Sequence, residues 1–156
     1  MQASKDLIII LDFGSQYTQL IARRIREIGV YSLVKPCNIS ISEIIRLAPK
    51  GIIFSGGPNS VNTRKMLKPN NKIFSLGIPI LGICYGMQLI AREFGGKVVK
   101  SLKKEFGHST FKINKKSQIF DGCDKGNIHD VWMSHADKVE IIPKNFISIG
   151  NSINSK

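Results

Sequence analysis

Hydrophobic positions along this chain follow two patterns. LIIILDFG (residues 7–14), GIIFSGG (51–57) and IPILGIC (78–84) hold continuous apolar runs that end in small or polar residues. Such runs suit strands buried on both faces. YSLVKP (31–36) predicts another strand, halted by Pro36. Between the runs, apolar residues recur every three or four positions. SQYTQLIARRIREIG predicts a helix capped by Ser15, with Leu20, Ile21, Ile25 and Ile28 on one stripe and a stop at Gly29. ISEIIRLA predicts a short helix ended near Pro49, and YGMQLIAREFG a third helix after the IPILGIC strand.

Strand and helix thus alternate through the first hundred residues. That order predicts an α/β fold, a mostly parallel sheet with helices on both faces and right-handed crossovers. In such sheets, sites form at the carboxyl ends of the strands. Beyond residue 95, GKVVKS and STFKIN read as strands, and the polar segment NKKSQIFDGCDKGN separates them from DVWMSHADKVEII. FISIGNS reads as a last short strand. With no internal repeat and no linker, 1–156 is expected to form one domain.

Composition narrows the function classes. Hydrophobic residues make up 42% and charged residues 22% of the 156, a globular balance. No apolar run approaches the ~20 residues that cross a bilayer. The start, MQASKDLIIILDFG, lacks the features of a secretory signal. Cys37, Cys84 and Cys123 are odd in number and widely spaced, neither a disulfide framework nor a metal pair, which fits a reducing cytoplasm. The net charge of +12 would suit a polyanion, but the basic residues are scattered, with no run of five. A solvated basic surface is the expected reading, and a nucleic-acid-binding module the rival.

GIPILGICYGMQLI (77–90) carries the candidate chemistry. Gly82 and Gly86 flank Cys84 at an expected strand-to-helix turn. Small neighbours let the chain turn sharply, so that the side chain stands clear of the sheet. The next helix presents its positive end to the sulfur, which favours the thiolate. The Tyr85 amide would face a developing oxyanion. Ser55-Gly56-Gly57-Pro58 ends the preceding strand, and the Gly57 amide could supply a second donor. The plain alternative remains a buried structural thiol and an ordinary glycine turn.

Four blocks carry a resemblance. They are Asp12-Phe-Gly-Ser-Gln-Tyr-Thr-Gln-Leu20 with the Ala22-Arg-Arg-Ile-Arg helix, Ser55-Gly-Gly-Pro58, Gly82-Ile-Cys-Tyr-Gly-Met-Gln88, and Val131-Trp-Met-Ser-His-Ala-Asp-Lys-Val139. The chain resembles the class I glutamine amidotransferase domain of GMP synthetases, whose triad is cysteine, histidine and glutamate. The likeness implies a flavodoxin-like layered sheet, with Cys84 as nucleophile and Gly57 and Tyr85 as oxyanion donors. It also implies that Gly56, Gln88, Ser134 and His135 hold glutamine. Glutamine would be cut to glutamate and ammonia, with no metal or cofactor in this domain. The ammonia would pass to an ATP-pyrophosphatase domain, in the same or another chain, which uses ATP and Mg2+ to aminate XMP.

The family's histidine and glutamate lie in a block reading roughly Gln-Phe-His-Pro-Glu, on a strand beyond the segment matched here. No such block occurs in 1–156. The expectation is therefore a domain incomplete at its carboxyl end, missing its last strands and inactive alone. Its alternative is a non-catalytic remnant that keeps the fold or binds a partner. A cysteine-elbow protein of the stress-response or peptidase type is a further rival on a similar sheet.

Overall fold

The computed structural model describes residues 6–123 and 126–152; the side chains of 101–106 and 134–136 lie outside the description. The chain forms two compact units, residues 1–90 and 91–156. The first is built on a four-stranded parallel sheet and the second on a three-stranded antiparallel sheet.

The parallel sheet runs in the order β2-β1-β3-β4, with β1 at Ile8–Asp12, β2 at Ser32–Pro36, β3 at Gly51–Phe54 and β4 at Ile80–Gly82. β1 has a partner on each side, Ile8 to Asp12 against Ser32 to Pro36 and Ile8 to Leu11 against Gly51 to Phe54. That position explains its unbroken apolar run: Ile9, Ile10 and Leu11 are all fully buried. Each such side chain stabilises the fold by roughly 1.5–3 kcal/mol. Phe13, Phe54, Phe74 and Tyr85 continue the core as a chain of tilted and edge-on rings, centroids 5.5–5.8 Å apart. β4 is the last strand of the sheet, and Leu81 and Ile83 are exposed along it.

Three helices follow strands. α1 covers Thr18–Glu27, α2 Ile41–Leu47 and α3 Tyr85–Glu93. In α2 the Ser40 hydroxyl accepts from the Glu43 amide, and the helix stops on left-handed Ala48 before Pro49. α1 departs from the sequence expectation twice. Ser15 does not cap it; Tyr17 is the cap residue and makes no side-chain cap bond, while Ser15 Oγ accepts the Tyr17 amide in a turn just before the helix. The buried face also differs: Thr18 and Ala22 are buried, whereas Leu20 and Ile28 are exposed. Residues four apart share a helix face, and here the small pair takes the inner one. Arg23 and Arg24 both pair with Glu27 on the exposed side.

In the second unit, GKVVKS and STFKIN are not separate strands. They belong to one long strand, β5 (Lys97–Ile113), with an irregularity between Lys100 and Glu105 where two strands had been expected. β6 (Ile128–Ile141) pairs with it antiparallel, His108 opposite Trp132 and Lys112 opposite Ile128. The terminal strand is shorter than FISIGNS: β7 covers only Gly150–Ser152, against Phe111–Ile113. Asn145, in the left-handed region, and the bond from the Phe146 amide to the Pro143 carbonyl make a turn that delays its start. Gly150 lies directly against the Phe111 ring, where a side chain would collide. Among the described residues, no helix is long and apolar enough to cross a membrane.

Candidate functional site

Because β1, β3 and β4 are parallel neighbours, the segments that leave them emerge at one edge of the sheet. These segments are 12–15, 55–58 and 83–85. Cys84 sits between β4 and α3 with φ of 51°, in the left-handed region that residues with a Cβ avoid. Such strain persists only where the surroundings over-determine it. They do so here. The Ile83 amide donates to the Phe54 carbonyl, the Gly86 amide to the carbonyls of Ser55 and Ile83, and the Gln88 amide to the Cys84 carbonyl at 3.1 Å. The thiol itself is exposed.

Both flanking glycines are required by close approach. A Cβ on Gly82 would come within 2.6 Å of the Met87 backbone, and one on Gly86 would strike the Phe54 carbonyl and Cβ. The elbow therefore packs α3 onto the end of β3 with no room for a side chain at either position.

The Ser55-Gly56-Gly57 turn lies beside it. A Cβ on Gly56 would touch Cys84 Cβ at 3.7 Å, and one on Gly57 would come within 2.7 Å of the Phe13 carbonyl. Ser55, fully buried, ties this turn to β1: its hydroxyl accepts the Phe13 amide at 3.0 Å and donates to the Gly56 carbonyl at 2.9 Å. In a trans peptide the carbonyl and the next amide point in opposite directions. Holding the Gly56 carbonyl against Ser55 therefore aims the Gly57 N–H away from Ser55. Among the described residues, that amide has no backbone acceptor.

The structure thus brings together Cys84, Tyr85, Gly56, Gly57 and Gln88 in the first unit. Gln88 is buried in the first turn of α3. Ser134 and His135 lie on β6 of the second unit, opposite Phe106 and Glu105, and their side chains are outside the described residues. The other two histidines are engaged in that unit, His108 Nε2 with the Asp130 carboxylate at 3.0 Å and His129 Nε2 with the Gly126 carbonyl at 2.9 Å. A cleft of about 440 Å3 in the second unit, lined in part by Lys115, Phe120 and Cys123, contains none of the candidate residues. Burial pushes the Cys37 thiol above the ordinary thiol range, and the nearby Asp12 carboxylate adds to the effect. Among the described residues, no three His, Cys, Asp or Glu side chains converge as metal ligands would.

Two contributors were not apparent from the sequence. The Tyr85 phenol, fully buried, donates to the Leu67 carbonyl at 2.6 Å and so anchors the irregular segment after Gly57 to the elbow. Asp12 accepts from the Gly14 amide and from the Thr18 hydroxyl, which fixes the turn after β1. The one available signal was a large aromatic directly after the nucleophile, where the turn itself needs only a backbone.

Comparison with known proteins gives this geometry a family. The Glutamine amidotransferase class-I family profile matches residues 9–156. The chain is 52% identical over 149 residues to a glutamine-hydrolysing GMP synthase of Helicobacter pylori and 54% identical over 148 residues to one of Campylobacter hominis. It spans 96% and 95% of its own length in those alignments but only 29% of each relative. A solved GMP synthase subunit from Thermoplasma acidophilum superposes with a TM-score of 0.83 at 31% identity, over 97% of this chain and 75% of that one. A Thermotoga maritima glutamine amidotransferase, 15% identical with a TM-score of 0.72, shares the fold. Since the family match takes in both sheets and the elbow, the chain belongs to the class-I glutamine amidotransferases.

Proposed function

We propose that the chain is the glutamine-hydrolysing part of a GMP synthase. The observation that carries this reading is the strained, exposed Cys84 at the start of α3, beside the turned-out Gly57 amide. In the proposed reaction the Cys84 thiolate attacks the side-chain amide carbon of glutamine. The oxygen of the tetrahedral adduct takes hydrogen bonds from the Gly57 and Tyr85 amides. The C–N bond breaks, the nitrogen takes a proton and leaves as ammonia, and a glutamyl thioester remains. Water attacks the thioester, giving glutamate and restoring the thiol.

Gly56, Gln88, Ser134 and His135 are the proposed glutamine-binding residues. A thiol, amide donors and water suffice for hydrolysis, so no cofactor is assigned to this domain. Protonating ammonia and activating water require an acid and base within reach of the sulfur. His108 and His129 are engaged in the second sheet, so this role is assigned to the family's His-Pro-Glu block, which 1–156 does not contain. Ammonia would pass to an ATP-pyrophosphatase domain that aminates XMP with ATP and Mg2+, in the same or a separate chain. The relatives' greater length supports a larger assembly. Three cysteines outside any disulfide support a cytoplasmic setting.

The test uses a glutamine analogue with a diazoketone in place of the amide. It should alkylate Cys84, and L-glutamine should compete. Labelling confined to Cys37 or Cys123, or labelling indifferent to glutamine, would overturn the reading.

A further inference from the structure

We propose that Ser15 is a binding residue of this site, its hydroxyl donating a hydrogen bond to the α-carboxylate of glutamine held at Cys84. The inference rests on the glutamine reading above and adds a residue to it.

Ser15 leaves the carboxyl end of β1. The position that a Cβ on Gly56 would occupy lies 3.4 Å from Ser15 Oγ and 3.7 Å from Cys84 Cβ. A bare glycine backbone is therefore the floor between hydroxyl and thiol. An amino acid lying across it, with its amide carbon at the sulfur, sets its α-carbon end on the Ser15 side. Ser15 is half-buried. Among the described residues, its hydroxyl oxygen has one partner, the Tyr17 amide, from which it accepts at 3.1 Å. The hydroxyl proton remains to be donated. A carboxylate only accepts, so it matches that proton. An ammonium would instead compete with the Tyr17 amide for the oxygen lone pairs. A hydroxyl donating to a carboxylate is a charge-assisted bond, among the stronger kinds.

The experiment measures protection of Cys84 from iodoacetamide by increasing L-glutamine, with labelling mapped by mass spectrometry on the chain as it stands. Ser15→Ala should raise the protecting concentration about 10-fold or more, the scale of losing a hydrogen bond to a charged group. Ser15→Thr, which keeps the hydroxyl, should stay near the parent. Ser15→Asp separates binding from turn structure. Its carboxylate still accepts the Tyr17 amide but repels a carboxylate ligand, so it should protect worst of all. If Ser15 merely holds the turn, Ser15→Asp protects like the parent, and the proposal is overturned. Equal protection in Ser15→Ala and the parent overturns it as well. A parent thiol that glutamine does not protect at all overturns the glutamine reading, and this inference with it.

Discussion

The strain at Cys84 has a measurable consequence for stability. A residue with a Cβ in the left-handed region costs roughly 1–2 kcal/mol relative to ordinary backbone. Glycine escapes that cost but loses more backbone entropy on folding, about 0.5–1 kcal/mol compared with alanine. Replacing Cys84 by alanine keeps the Cβ at φ 51° and so keeps the strain, whereas glycine removes it. Both variants lose the thiol, which is exposed, so little packing separates them. Cys84→Gly should therefore be more stable than Cys84→Ala by about 0.5–1 kcal/mol, the difference between the two costs. At this chain length that is a rise of roughly 1–4 °C in melting temperature. Urea denaturation of the two variants, followed by circular dichroism in one buffer, gives the comparison directly. The rule for ordinary positions is the reverse, with glycine the less stable. A Cys84→Ala variant as stable as Cys84→Gly would mean that the elbow is relaxed and the glycines around it serve some other purpose.

Two further outcomes follow from the same site. Gly57→Val places a side chain against the Phe13 carbonyl, where a Cβ would lie at 2.7 Å, and displaces the outward amide. Alkylation of Cys84 by the diazoketone analogue should slow by ~10²-fold, the scale of one lost oxyanion donor. Its reaction with iodoacetamide, which forms no oxyanion, should stay unchanged, and a slowing below about threefold with the analogue would take Gly57 out of the site. Cys37 sets a pH dependence. Its folded thiol titrates above the ordinary range because of burial, so folding favours the neutral form. That stability is present below the unfolded thiol's pKa and is lost as pH rises through the folded value. Urea midpoints measured across the alkaline range should fall less steeply in Cys37→Ala, and identical slopes would discount the burial.

The parallel sheet was legible because its pattern was redundant. An interior strand such as β1 must be apolar at every position, and LIIIL left little choice. The elbow was legible for a related reason: Gly82 and Gly86 report close approaches that no other residue survives. α1 was read less well. Its inner face is Thr18 and Ala22, and a small polar residue gives no hydrophobic signal even when it is buried. Ser15 was misassigned as a helix cap because its bond to an amide two residues on belongs equally to a turn. In the second unit the two expected strands proved to be one. Periodicity does not register a strand that continues through an irregular stretch such as Lys100 to Glu105. The Ser55 staple was invisible, since a serine beside glycines suggests only a loop.

The place of β4 at the end of its sheet bears on how the protein behaves in concentrated solution. Ile52 bonds to the Pro79 carbonyl and Ile83 to the Phe54 carbonyl, so residues 79 and 83 face β3 and the alternate groups of Ile80 and Gly82 face outward. Along this edge Leu81 is 42% exposed, and no charged residue occurs between Ile78 and Cys84. Charged residues and bulges are the usual guards against strand addition, and here they are absent from 78–84. The requirements of the elbow explain why: the glycines and the tight crossing onto Phe54 leave no position for a bulge. The strand that delivers the nucleophile is thus also the edge along which self-association begins, and aggregation of this chain will be set more by protein concentration than by net charge.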